Sequence, residues 1–313
     1  MDKIILFHMN QLGDLLFSLP VLKAVREQYP DIKIYSVVRP NLAGLLKSAK
    51  LTDKIFIKEK NFFKRIKLIK DIRKENINTA FLFSESPESL ITAFCCGIKN
   101  RAGFQTSSLN FLLTLKAGKT GVPSLKNNIN LAKTAGIDNV KTDYTGIIKA
   151  GVQSGKNADK WLADNNLREK DFIIISVGAS ARRKDKCLKN EVWVETIDKL
   201  HEMDKNVVII GAKWEKEYIK SITVKCKKEP KIYCPENGLE DMAGFIEKAG
   251  FFIGIDSGLM HLSASLGIRC IALYGATDPG QIGPQPLEKH IIIKKNTTKD
   301  IVSNDIIEQI KNL

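Results

Sequence analysis

At 313 residues the chain can bury a substantial core and suits two medium domains better than one. Its 49 Lys and Arg stand against 35 Asp and Glu, a formal net charge of +14. That excess favours an anionic partner (nucleic acid, an acidic membrane surface or an acidic glycolipid), or reflects lysines spread over solvated faces.

No window is apolar for long enough to span a bilayer, and the apolar run after Met1-Asp2-Lys3 is too short for a secretory signal. The six cysteines include no Cys-x-x-Cys pair, so buried free thiols are expected and a zinc site is not. Together these point to a cytoplasmic protein.

In chain order, residues 3–9 read as the first strand and Asn10-Gln11-Leu12-Gly13-Asp14 as its turn into a helix. Pro20 is expected to interrupt that helix and restart it, with Val21, Leu22 and Val25 on the buried side. Residues 32–38 form the second strand, ending at Arg39-Pro40. Residues 61–75 form an amphipathic helix with Phe62, Ile66, Ile69 and Ile72 tracking one side. Lys64, Arg65, Lys67, Lys70, Arg73 and Lys74 crowd the rest, either as a solvated face or as an anion-docking one. A strand at 79–83 and a helix at 88–96 follow, then an irregular, hydroxyl-rich stretch over 101–124 and a helix at 127–135 closing at Gly136. Weak periodicity over 138–154 marks a linker, giving domains of 1–150 and 151–297.

The second half opens with a helix at 157–165 and a strand at 172–177, then Gly178-Ala179-Ser180. Residues 181–189 carry five cations, a loop suited to diphosphate charge. Helix 191–203, strand 206–210, the turn Gly211-Ala212-Lys213, helix 215–226, a short strand at Ile232 and helix 239–249 come next.

The densest signal is residues 251–279. An apolar run without alternation, 251–255, reads as a strand buried on both faces. Asp256-Ser257-Gly258 then opens a helix with Leu259, Leu262 and Leu266 on one face and Gly267 as its cap. A second buried strand, 270–273, exits through Gly275-Ala276-Thr277-Asp278-Pro279. Asp256 and Ser257 can cap the helix, and the N–H groups at its start favour an anion at the carboxyl edge of a parallel sheet. His261 lies on the same first turn. The last segment, 303–313, is an amphipathic helix with Ile306, Ile307, Ile310 and Leu313 inward.

Two alternating α/β halves imply two doubly wound, Rossmann-like parallel-sheet domains. No Gly-x-Gly-x-x-Gly opens a helix, since Gly13 stands alone, which disfavours a dinucleotide oxidoreductase. No basic stretch is interleaved with aromatics, which disfavours a non-enzymatic nucleic-acid binder.

Asp256-Ser257-Gly258-x-x-His261, residues 264–267 and residues 272–279 resemble the signature of bacterial heptosyltransferases, glycosyltransferase family 9. Residues 3–38 are similar to that family's N-terminal motif. The resemblance implies the GT-B fold, two such domains facing a cleft, with helix 298–313 crossing back to the first. It implies an inverting, metal-independent and cofactor-free transfer of a sugar, heptose from ADP-heptose, to an acidic lipopolysaccharide-core acceptor. The enzyme would touch the inner membrane peripherally and bind no nucleic acid. Another nucleotide sugar or acceptor within the same family is the alternative.

By the same resemblance Asp14 is the catalytic base. The donor is held by Ser180, Lys186, Glu215, Asp256, Ser257, Gly258 and His261, with Lys184 and Glu217 as substitutes for Lys186 and Glu215. Arg39, Lys64, Arg65 and Arg101 are the cations expected to meet the acceptor. Around Ser84-Glu85-Ser86 the family pattern is not matched.

Overall fold

The chain forms two successive units, Met1–Ile147 and Ile148–Leu313, in a computed structural model that describes residues 3–8, 11–119, 125–178 and 186–311. The first unit contains β1 (Lys3–Phe7), α1 (Leu12–Gln28), β2 (Lys33–Val38), α2 (Pro40–Ser48), β3 (Lys54–Ile57) and α3 (Phe62–Lys74). It continues with β4 (Thr79–Leu82), α4 (Pro87–Cys95), β5 (Asn100–Phe104), β6 (Leu115–Ala117) and α5 (Leu125–Thr134). The second unit begins with α6 (Val152–Asp164), β7 (Phe172–Ser176), α7 (Asn190–Glu202), β8 (Asn206–Ile210), α8 (Lys216–Thr223) and β9 (Lys231–Tyr233). It ends with α9 (Leu239–Lys248), β10 (Phe251–Ile255), α10 (Gly258–Ser265), β11 (Cys270–Tyr274), α11 (Pro279–Ile282), β12 (Ile291–Lys294) and α12 (Ser303–Lys311).

Each unit is built on one parallel six-stranded sheet, with orders β3-β2-β1-β4-β5-β6 and β12-β11-β10-β7-β8-β9. Both orders are doubly wound: the chain moves outward from β1 or β7 in one direction, then returns to build in the other from β4 or β10. The reversal lies between β1 and β4 in one sheet and between β7 and β10 in the other. At these two places the connections leave in opposite directions and a crevice opens at the carboxyl ends of the strands. The central strands are buried along almost their whole length, as unalternated apolar runs require.

Several local expectations are corrected by packing. Helix α1 runs unbroken through Pro20. The proline removes one helical hydrogen bond and crowds the preceding turn, which together cost roughly 3 kcal/mol in a free helix. Complete burial of Leu15, Leu16, Leu19, Val21, Leu22 and Val25 outweighs that cost. Helix α3 is rotated relative to the expected face: Leu68 and Ile72 are buried, whereas Phe62 and Ile66 are exposed. The strands β3, β5, β6 and β12, and helix α2, are too short for a period to announce them. Helix α6 starts inside the expected linker. Helix α12 packs on α7 and β12, with Ile306, Ile307 and Ile310 in the core of the second unit.

All three tryptophans, Trp161, Trp193 and Trp214, lie in the second unit, so their fluorescence follows its unfolding. Ile306→Ala should lower the stability seen by that probe in urea by about 2–4 kcal/mol, the usual range for a buried isoleucine. An unchanged midpoint would show that α12 is not part of this core.

Candidate functional site

The reversal point of the first sheet gathers titratable groups. His8, just past β1, is buried and stacks on Phe83 with ring centroids 5.9 Å apart. Ser18 Oγ donates to the Leu15 carbonyl at 2.6 Å, so it accepts from His8 Nδ1 at 2.7 Å. His8 Nε2 is then the acceptor for the Ser36 hydroxyl at 3.1 Å. Burial pushes the His8 pKa down to about 3, so the ring is neutral and ties β1, β2 and α1 together.

Asp14 stands on the first turn of α1, half-buried at this edge. Loss of hydration raises its pKa to about 6, with the nearby Lys119 ammonium pulling the other way. Lys119 donates to Glu85 Oε2 and lies 5.7 Å from the Phe104 ring centroid. Thr106 donates to Glu85 Oε1. Burial alone would raise the Glu85 pKa, but these two hydrogen bonds and the Lys119 charge bring it below its ordinary value. Lys119 and Glu85 were not singled out as site residues from the sequence. Lys119 follows a three-residue strand in a hydroxyl-rich stretch, where no period marks it.

The cations expected to meet an acceptor divide in two. Arg39 follows β2 at the carboxyl edge, half-buried, and opens α2. Lys64 pairs with Glu59, and Arg65 pairs with Glu88 at 3.1 Å, both on the first turn of α3 at that same edge. Arg101 is elsewhere. It sits near the amino end of β5, where Nε donates to the Leu112 carbonyl at 2.6 Å and Nη1 to the Lys99 carbonyl at 3.1 Å. Its guanidinium also lies over the Phe94 ring, 5.5 Å from the centroid. It fastens the β5–β6 connection at the edge opposite Asp14, and we remove it from the acceptor set.

In the second unit the reversal point brings a lysine and a carboxylate together beside the start of α10. Lys186 donates to Asp256 Oδ2, which also accepts from Thr277 Oγ1 at 3.0 Å. This joins the segment after β7, the turn after β10 and the loop after β11. Ser257 caps α10, accepting from the Met260 N–H at 3.4 Å, and Gly258 is the helix's first residue. His261 is buried with Nε2 3.9 Å from Asp256 Oδ1. Burial lowers its pKa to about 4; Asp256 opposes this, and the charges of Lys186 and His290 add to it. It is a neutral prop for the turn.

A cavity of about 290 Å3 opens here, lined by Lys186, Asp256, Gly275, Thr277, Thr297, Thr298 and Lys299 among others. Thr298 Oγ1 donates to the Cys187 carbonyl at 3.2 Å, fixing the residue next to Lys186. A Cβ on Gly275 would come within 2.6 Å of the Thr298 backbone nitrogen, so only glycine lets the two loops approach. Sequence reading missed Thr297, Thr298 and Lys299. Their one signal is a polar run directly after an apolar strand.

Glu215 is buried between the ends of β7 and β8 and accepts the Ala212 N–H at 2.8 Å. A Cβ on Gly178 would lie 2.0 Å from its Oε1. Burial raises its pKa, with the Ala212 hydrogen bond opposing. Glu217 is exposed one half-turn on. Ser180 and Lys184 lie outside the described residues. Among the described residues, no helix is long and apolar enough to cross a membrane.

Two solved structures share this architecture. A glycosyl transferase family 9 protein from Veillonella parvula has a TM-score of 0.89 at 16% identity, covering 99% of this chain and 96% of that one. The Escherichia coli heptosyltransferase WaaC with ADP has a TM-score of 0.80 at 20% identity, covering 99% of each. The fold is therefore that of a GT-B glycosyltransferase, with two Rossmann-like domains. Lipopolysaccharide heptosyltransferase 3 of Escherichia coli is 24% identical over 300 residues, 85% of this chain and 81% of the relative. The model of glycosyltransferase family 9 (heptosyltransferase) matches residues 65–311, well over half of the chain, and the protein belongs to that family. Asp14 lies ahead of the matched segment.

The raised pKa of Asp14 has a thermodynamic counterpart. The folded state binds the Asp14 proton more tightly than the unfolded state, whose value is near 3.8, so stability falls as pH rises from about 4 to about 6. Asp14→Asn imitates the neutral form. It should therefore be more stable than the wild type at pH 7, by at most about 3 kcal/mol, and equal to it near pH 3.5. Equal stability at both pH values in urea titrations would contradict the elevated value.

Proposed function

We propose that the protein is an inverting glycosyltransferase that moves a sugar, heptose from ADP-heptose, onto an acidic acceptor of the lipopolysaccharide core. The observation that carries this reading is the Lys186–Asp256–Thr277 cluster beside the start of α10, a prepared seat for a diphosphate. Family membership and the ADP held by the Escherichia coli relative support the choice of donor. The names of relatives such as lipopolysaccharide heptosyltransferase 3 support the choice of acceptor.

In the reaction the acceptor oxygen attacks the anomeric carbon as the bond to the donor's diphosphate breaks, which inverts that carbon in one displacement. Asp14 accepts the hydroxyl proton. A carboxylate with a pKa of about 6 is a stronger base than an ordinary aspartate and is still ionised at neutral pH. Charge developing on the diphosphate is met by Lys186, Lys299 and the N–H groups opening α10, with Ser257 and Gly258 at the start of that helix. No metal is called for in this scheme, and chelation should leave turnover unchanged. Asp256 and His261 hold the turn in place, and Glu215 contacts the nucleoside side of the donor. Arg39, Lys64 and Arg65 attract the acceptor's acidic groups.

Asp14→Asn should keep its affinity for ADP while turnover falls by roughly two to four orders of magnitude, the range for loss of a general base. In the wild type, kcat/KM should decline on the acidic side below about pH 6. Near-normal turnover in the variant would end the assignment.

Lys186→Ala should weaken ADP by roughly ten- to a hundredfold, as loss of a hydrogen bond to a charged group does, and leave adenosine almost unaffected. Calorimetry with both ligands checks this. An equal loss for adenosine and ADP would show that Lys186 does not meet phosphate, and Lys184 would be the next residue to test.

A further inference from the structure

Helix α3 turns its sides to very different surroundings. Leu68 and Ile72 mark the buried side and join a core containing Tyr35, Phe56 and Leu90. At about 100° per residue, Phe63, Ile66 and Lys70 stand opposite that stripe. Phe62 and Arg73 lie on one flank of the outward side, and Lys67 and Lys74 on the other. Phe62 is 68% exposed, Phe63 is 77% exposed and Ile66 is 38% exposed. The two rings meet edge to face with centroids 5.9 Å apart.

Adjacent phenylalanines this exposed are unusual on a solvated helix, where lone apolar residues are normal and clustered ones mark an interaction surface. Helix α3 also carries six cations against one carboxylate, Asp71. Lys67, Lys70 and Arg73 make no ion pair among the described residues, whereas Lys64, Arg65 and Lys74 do. The surface therefore offers an apolar tip flanked by unpaired positive charge.

We propose that this face anchors the protein on an anionic phospholipid bilayer. Phe62 and Phe63 insert at the boundary between headgroups and acyl chains, Ile66 follows them, and Lys67, Lys70 and Arg73 lie among the lipid phosphates. Charge complementarity selects this occupant. A second copy of the chain would set six cations against six. A bilayer presents an apolar layer and dense negative charge together over an area as broad as the helix. The inference deepens the reading of a membrane-borne acceptor by naming the surface that reaches it. It rests on that reading for its biological sense, but the patch alone carries the physical argument.

The test is sedimentation of the full-length protein with vesicles of phosphatidylcholine, with or without one third phosphatidylglycerol. Neither donor nor acceptor is present, so failure here is distinct from failure of the proposed activity. The wild type should pellet with the anionic vesicles only. The double variant Phe62→Ser with Phe63→Ser should lose at least tenfold in partitioning while keeping its circular dichroism, its ADP affinity and its turnover on a delipidated acceptor. Lys67→Gln with Lys70→Gln should lose partitioning in a manner that rising salt abolishes. Phe63→Trp should show a blue shift of the added emission on meeting anionic vesicles. The proposal is overturned if the wild type stays in solution, if the phenylalanine variant pellets like the wild type, or if the tryptophan emission does not move. It is equally overturned if the two phenylalanines drive dimerisation that vesicles do not compete, or RNA binding tighter than binding to the vesicles.

Discussion

The ion pair of Lys186 with Asp256 is the interaction on which the layout of the second unit's loop edge depends. Two residues 70 positions apart meet at a place where both are mostly removed from water. A buried carboxylate without its cation is costly, so the pair constrains where the segment after β7 and the turn after β10 can lie. Thr277 adds the loop after β11 to the same oxygen, and Thr298 fastens the loop after β12 to the Cys187 carbonyl. Four strand ends are thereby assembled around one ammonium group. The lysine is already oriented, with the entropy of ordering it largely lost during folding.

The first unit repeats the topology with opposite chemistry. At its reversal point the prominent group is a carboxylate, Asp14, whose hydration is partly removed by the fold. The Lys119 ammonium is close enough to moderate that effect and is itself paired with Glu85. The same crevice in the same kind of sheet thus presents an ammonium group in one half and a partly desolvated carboxylate in the other. The difference lies in side chains on the connecting loops and not in the architecture, as is general for doubly wound folds.

Helix α3 shows how packing reassigns a pattern. Its apolar residues admit more than one stripe, because Phe62, Ile66 and Ile69 compete with Leu68 and Ile72 for the inward side. The core between β3, β4 and α4 accepts Leu68 and Ile72, and the two phenylalanines at the helix start are left outside. An apolar residue that the core does not take becomes surface, and on a basic helix that surface has its own chemistry.

What the sequence determined by itself was whatever local periodicity and short motifs can carry. The unalternated runs at residues 172–176 and 251–255 required strands buried on both faces. The turn Asp256-Ser257-Gly258 required a helix start with an anion-favouring end, and the alternation of the two patterns implied a pair of doubly wound sheets. The family motif singled out Asp14 and Lys186 as residues to examine. The tertiary structure decided what depends on contacts between distant segments. Pro20 lies within a continuous helix because burial around α1 exceeds the loss of one hydrogen bond. Arg101 turns to backbone carbonyls at the far edge of its sheet because the β5–β6 connection returns to it. Lys119, Thr298 and Lys299 reach the two reversal points only through the pairing of edge strands β6 and β12, which are too short to mark themselves in the chain. Local order is written in neighbouring residues, whereas a site is assembled by strand order, which no stretch of neighbours contains.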